Sequence, residues 1–280
     1  MKLEPTILDL DWSEVETKIK RFIKDYVEKS GAKGLVLGLS GGIDSCTAAA
    51  LSALAIGGDK IFGLLLPEQE TYNAKDVEDA KLVAEKFGFK TEMVNVTSTL
   101  EAFYTSLPIF EPTDKICKGN IKARVRMIYV YYYANRLSML VCGSSDKSET
   151  MIGYFTKWGD IAADISPLMD LYKMQVRKLA QHIGVSKEIV AKPASPALWP
   201  GQLAEEELGI KYEILDLILY GLEHFMKTEE IAQQLGIKQE FVNTIKRRWL
   251  YMEHKRRMPL TTKIQYRTMG ADFRLPRTSH

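Results

Sequence analysis

The chain has 280 residues, 46% of them hydrophobic, and its 38 Lys and Arg against 36 Asp and Glu leave a net charge of +2. That length is enough to bury a full α/β core. The near-neutral balance shows no large basic footprint for nucleic acid, and no apolar run reaches the roughly 18 residues that a membrane span needs.

The elements read as follows in chain order. Met1-Lys2-Leu3-Glu4-Pro5 does not have the plan of a secretory signal. Trp12, Val15, Ile19, Phe22, Ile23, Tyr26 and Val27 recur at helical spacing, with Gly31 as the terminal cap. Gly34-Leu35-Val36-Leu37-Gly38 is a buried strand, and it runs through Leu39-Ser40-Gly41-Gly42-Ile43-Asp44-Ser45 into the Ala-rich helix that begins near Cys46. Ile61 to Leu66 is a second buried strand ending at Pro67. Lys75 to Phe87 is an amphipathic helix with Val77, Ala80, Leu82, Val83 and Ala84 inward, capped by Gly88. Lys90 to Val96 is a third strand, Ile121 to Leu137 a helix, and Met139 to Cys142 a fourth strand opening into Gly143-Ser144-Ser145-Asp146.

Beyond Pro167 the pattern becomes helical: Lys173 to Ile183, Tyr212 to Leu222, Thr228 to Leu235 and Gln239 to Met258. Pro193 to Gly209 has three prolines and no period, so it reads as a long loop. Residues 261–280 are basic and are expected to be partly disordered. Cys46, Cys117 and Cys142 have no metal spacing, read as small packing residues, and fit a reducing cytoplasm. The expected fold is α/β: a doubly wound, mostly parallel sheet with helices on both faces, a helical part at about 200–260, and residues 1–280 as one domain.

The glycine loop carries the chemistry. A strand, a Gly-Gly turn and a helix start present unpaired amides to an anion, reinforced by the helix dipole and by the Ser40 and Ser45 hydroxyls. Asp44 would repel a phosphate unless a cation lies between them. Walker A needs a Lys-Ser or Lys-Thr pair, and the dinucleotide fingerprint needs Gly-x-Gly-x-x-Gly; neither fits. Ligands of such sheets bind at the carboxyl ends of the strands. Both this loop and the Gly143-Ser144 loop lie at such ends.

Ser40-Gly41-Gly42-Ile43-Asp44-Ser45 resembles the pyrophosphate loop of the N-type ATP pyrophosphatases. Three further stretches narrow the resemblance: Lys118-Gly119-Asn120-Ile121-Lys122-Ala123-Arg124-Val125-Arg126-Met127, Gly153-Tyr154-Phe155-Thr156-Lys157-Trp158-Gly159-Asp160 with Asp164, and Glu253-His254-Lys255-Arg256. In this order they resemble the ammonia-dependent NAD synthetases from about Leu35 to Pro259. The resemblance implies conversion of deamido-NAD to NAD through an acyl adenylate, with ATP as co-substrate and AMP and pyrophosphate released.

It also implies roles. Gly38, Leu39, Ser40, Gly41, Gly42, Ile43, Asp44 and Ser45 would cradle the ATP phosphates. Ser144, Lys173 and Ser195 would also contact ATP, with Asp44 and Lys173 catalytic. Asp44 and Glu149 would hold Mg²⁺, the alternative for Glu149 being a helix cap. Arg124, Lys157, Asp164, His254 and Lys255 would bind deamido-NAD. Of Arg124 and Arg126, two apart on a helix, one is expected to meet ligand and the other a structural acid. The tyrosines between Tyr129 and Tyr133 are expected to pack within their helix layer.

Two stretches depart from the family pattern. Ser145-Asp146-Lys147-Ser148 stands where bacterial members have Thr-Asp-His-Ala, and Ala197-Leu198-Trp199-Pro200-Gly201 replaces an acid-containing stretch. The segment before the first strand is too short for an amidase domain, so ammonia is the expected nitrogen donor. A homodimer is expected, with apolar helix faces at Ile121–Leu137 and Ile214–Leu219 available to it. The rival readings are another amidating or thiolating enzyme of the same superfamily, and a non-catalytic nucleotide binder on the same fold.

Overall fold

The computed structural model describes residues 1–268. Helix α1 (Trp12–Ser30) starts where the Asp11 carboxylate accepts the Glu14 amide at 3.0 Å, and ends at Gly31, which adopts φ +69°. Strand β1 (Leu35–Gly38) leads through the glycine loop into α2 (Ile43–Ile56). Then follow β2 (Ile61–Leu65), α3 (Ala74–Phe87), β3 (Lys90–Met93), α4 (Thr97–Ser106), α5 (Lys115–Leu137) and β4 (Leu140–Val141).

All pairings are parallel, in the order β3-β2-β1-β4. Side chains alternate across β1. Leu35 and Leu37 face a core built with α1 and α2, while Val36 joins Val125, Val130 and Ala134 of α5 on the other side. Strands therefore lie under helices on both faces, which is why they read as continuous apolar runs. The order reverses at β1, with β2 on one side and β4 on the other. This is the switch point, and the loops after β1 and β4 flank it.

After β4 come α6 (Lys147–Ile152), α7 (Lys173–His182), α8 (Lys187–Val190), α9 (Ala204–Leu208), α10 (Tyr212–Glu223), α11 (Thr228–Leu235), α12 (Gln239–Tyr251) and α13 (Glu253–Arg256). A third apolar cluster, with Tyr212, Leu215, Ile218, Leu219, Ile231 and Val242 at its centre, joins these helices.

Several sequence expectations change. Helix α5 begins six residues before Ile121, because Asp114 accepts the Cys117 amide at 2.9 Å. Helices α4 and α8 were not expected, while α6 starts at Lys147, close to the helix start that the cap alternative for Glu149 supposed. The helix expected from Gln239 to Met258 is two: the Arg256 guanidinium reaches the Thr150, Met151 and Trp249 carbonyls and folds the last turn onto the 150–153 segment. The Pro193–Gly209 loop contains α9. The Ile214–Leu219 face is inside the chain's own core, so it is not available to a second copy; on α5, Ile128 and Tyr132 are exposed. Cys46 and Cys142 are buried as expected, but Cys117 is exposed. The expectation of disorder for 261–280 lies outside the described residues from position 269 onward. Among the described residues no helix is long and apolar enough to cross a membrane.

Leu82, expected inward, points to solvent at 51% exposure, whereas Val83 is 3% exposed. Val83→Ala should cost about 1–3 kcal/mol of unfolding free energy and Leu82→Ala less than about 0.5, both by urea titration. Gly41 adopts φ +77°, and a Cβ there would sit 2.1 Å from the Asp76 carbonyl oxygen. Gly41→Ala should therefore destabilise the fold by more than about 1 kcal/mol, against about 0 at an exposed glycine able to accept a Cβ.

Candidate active site

The glycine loop is tied together by its own serines. The Ser40 and Ser45 hydroxyls lie 3.0 Å apart, the Ser40 amide donates to Ser45 Oγ at 3.2 Å, and Ser45 Oγ donates to the Gly42 carbonyl at 3.1 Å. Gly42 is the N-cap of α2 and has no side chain to cap it. Among the described residues the amides of Ile43, Asp44 and Ser45 have no protein acceptor. They form an open anion site at the positive end of a 14-residue helix.

The outer wall of this loop is a clamp that sequence reading missed. Lys192 Nζ donates to the Gly41 carbonyl at 3.0 Å and to Asp76 Oδ1 at 2.6 Å, and pairs with Asp79 Oδ2 at 2.6 Å. One lysine thus joins the loop, the start of α3 and the segment leading to Ser195.

Beside the loop, Lys173 opens α7 and is fully buried. Its Nζ lies 2.6 Å from Asp44 Oδ2, 2.8 Å from Asp146 Oδ2 and 2.9 Å from Glu149 Oε1. The structure thus brings together three residues predicted far apart in the sequence, Asp44, Glu149 and Lys173. It adds Asp146, which was overlooked although its Asp-x-x-Glu spacing ahead of a helix is a capping signal. Asp146, not Glu149, is the cap of α6: its Oδ1 accepts the Glu149 amide at 2.8 Å.

Three carboxylates around one ammonium leave surplus negative charge. Burial pushes the Glu149 carboxyl up to about 8, even against the attraction of Lys173. Burial likewise raises Asp146. Burial alone would lower Lys173, yet Asp146, Asp44 and Glu149 together hold it well above its ordinary value. The three carboxylates offer oxygens within 4.8 Å of one another, and Asp44 Oδ1 is buried with no hydrogen-bond partner. That donor set of hard oxygens with excess charge fits a divalent cation such as Mg²⁺.

A second group gathers around the 153–158 segment. Arg124 Nε and Nη2 donate to the Lys157 carbonyl at 3.3 and 3.2 Å, and Lys157 Nζ donates to the His254 carbonyl at 2.5 Å. Lys255 Nζ donates to the Gly153 and Phe155 carbonyls at 2.8 and 2.7 Å. These cations are held by neutral carbonyls, so their charge is available to an anionic ligand. Arg126 Nε donates to the Leu66 carbonyl just past β2 at 3.1 Å, and the acids Glu68 and Asp160 lie near enough to favour its charge.

The remaining expected residues are less engaged. Asp164 is exposed, and its Oδ2 accepts the Val141 amide of β4 at 2.7 Å. Ser195 is exposed, and its Oγ accepts the Ala197 amide at 3.1 Å. Ser144 makes no side-chain hydrogen bond among the described residues. None of these three side chains is hydrogen-bonded to either cluster. The departing residues have clear contacts: Lys147 turns to Glu223 at 2.7 Å, and Leu198 and Trp199 lie against Gly119 of α5.

Residues 15–259 match the NAD synthase family. Over 254 residues, 90% of this chain, it is 49% identical to the NH(3)-dependent NAD(+) synthetase of Methanocaldococcus jannaschii and 46% identical to that of Hyperthermus butylicus, covering 97% and 91% of those proteins. Among solved structures, the NMN synthetase of Francisella tularensis aligns with a TM-score of 0.81 at 34% identity, and the NH3-dependent NAD synthetase of Campylobacter jejuni with 0.75 at 29%; each alignment covers 91% of this chain and 100% of that one. Matched over most of its length by the family and by these relatives, the chain belongs to the NAD synthase family.

Proposed function

We propose that the chain amidates deamido-NAD to NAD, using ATP and ammonia and releasing AMP and pyrophosphate. The observation that carries this reading is the Lys173 ammonium, held among Asp44, Asp146 and Glu149 next to the open amides of α2.

A carboxylate is a poor electrophile at neutral pH, so it must first gain a leaving group. Its oxygen attacks the α-phosphorus of ATP, and pyrophosphate departs. The barrier is mostly phosphate charge. The α2 amides and the Ser40 and Ser45 hydroxyls hold the departing pyrophosphate. Lys173 offsets charge at the phosphate under attack. Asp44 and Glu149, with Asp146 beside them, would hold Mg²⁺, which would supply further positive charge when bound. Ammonia then adds to the acyl carbonyl, AMP leaves with the C–O bond electrons, and the surplus protons pass to solvent.

Arg124, Lys157, His254 and Lys255 suit an acceptor with its own pyrophosphate and a pyridine carboxylate, with Asp164 nearer the strand ends. Ser144 and Ser195 would contact ATP once it is bound. The reading takes residues 1–280 as one catalytic unit in the cytoplasm and as a homodimer that covers Ile128 and Tyr132 of α5.

Incubation with ATP, Mg²⁺, ammonium and deamido-NAD should yield NAD and AMP in equal amounts. ADP, or ATP bound without turnover, would sink the reading. Amidation of nicotinate mononucleotide alone would move the acceptor to a mononucleotide. Asp44→Asn should slow adenylation by about 10²-fold or more with the fold intact. Lys173→Met, which leaves the carboxylates without their cation, should cost about 3–5 kcal/mol of stability by urea titration. Millimolar Mg²⁺ should restore part of it, and no response to Mg²⁺ would remove these carboxylates from a metal site.

A further inference from the structure

Ser148 and Asp216 are both fully buried, at 0% exposure, and neither has a part in the chemistry above. Ser148 lies in α6, between the Asp146 cap and Glu149. Asp216 lies in α10, which packs against both α6 and α7. The first amides of α7 need acceptors, and Tyr172 at its N-cap is not a residue that caps well.

The acceptors come from the two neighbouring helices. The Lys173 amide donates to Ser148 Oγ at 2.9 Å. The Met174 amide donates to Asp216 Oδ2 at 2.8 Å. The Ser148 hydroxyl donates to Asp216 Oδ1 at 2.5 Å. A single α10 carboxylate therefore fixes the start of α7 both directly and through α6. The same α6, with its Asp146 cap, holds two of the three carboxylates that Lys173 Nζ reaches.

We propose that Ser148 and Asp216 are positioning residues that hold Lys173 against its carboxylates and thereby set the rate of adenyl transfer. The proposal rests on the reading above, in which Lys173 meets ATP. A lysine side chain has four flexible bonds, so Nζ can sit within 2.9 Å of three acids only if its Cα is held as well.

The test compares Ser148→Ala, Asp216→Ala and Asp216→Asn in the full chain. Both alanine variants should lower kcat by about 10–100-fold. KM for ATP should stay within about threefold, because the ground-state phosphate contacts remain. Asparagine keeps an acceptor for the Met174 amide and offers a donor to Ser148 Oγ, so it should recover most of the loss. Amide hydrogen exchange across residues 171–176 should quicken in both alanine variants and not in Asp216→Asn. If Asp216→Ala does not fold, Ser148→Ala, which removes one oxygen, decides with Asp216→Asn. A Ser148→Ala enzyme within about twofold of the parent in kcat would overturn the proposal. So would an Asp216→Asn enzyme as slow as a folded Asp216→Ala. If the unaltered chain makes no NAD, the functional reading fails by itself, and the exchange at 171–176 still reports on the positioning.

Discussion

The whole arrangement depends on one buried ammonium. Lys173 Nζ sits within 2.9 Å of three carboxylates from two places in the chain: Asp44 after β1, and Asp146 and Glu149 after β4. An isolated buried charge of either sign would be prohibitive. The lysine and the acids are tolerable only together, so the β1 loop, the β4 loop and α7 must come to one point. That point is the sheet's switch point, where the backbone amides of α2 already face outward.

Around it the structure divides labour by type of bond. The glycine loop offers backbone amides, whose position the strand and helix dictate. The central cluster uses ion pairs of the buried Lys173 with the buried Asp146 and the partly buried Asp44 and Glu149. The group around the 153–158 segment uses cations anchored on carbonyls: Arg124 on Lys157, Lys157 on His254, and Lys255 on Gly153 and Phe155. A carbonyl fixes a cation in place without neutralising it, so α13 and the 153–158 segment hold their positive charge ready for an anion.

Much of this was legible in the sequence. A glycine loop between an apolar strand and a small-residue helix has a local cause, and the backbone alone fixes its shape. The strand-helix alternation up to β4 gave the parallel sheet and both faces. What remained hidden depends on distant contacts. Asp44 and Lys173 are 129 positions apart, Gly41 and Lys192 151 apart, and Ser148 and Asp216 68 apart. No period or spacing links such residues. Helix α6 has six residues, too few for helical periodicity to show, so Asp146 went unread as a cap. Leu82 was misplaced for a different reason: it lies next to the inward Val83, and a broad apolar stripe does not mark its own edge.

The three cysteines differ sharply in accessibility. Cys46 lies under the glycine loop and Cys142 at the end of β4; burial pushes both thiols up to about 12. Cys117 is exposed in the first turn of α5, two positions before the Gly119 that Leu198 and Trp199 cover. A maleimide dye would therefore attach at one place on the native protein, with no engineered cysteine.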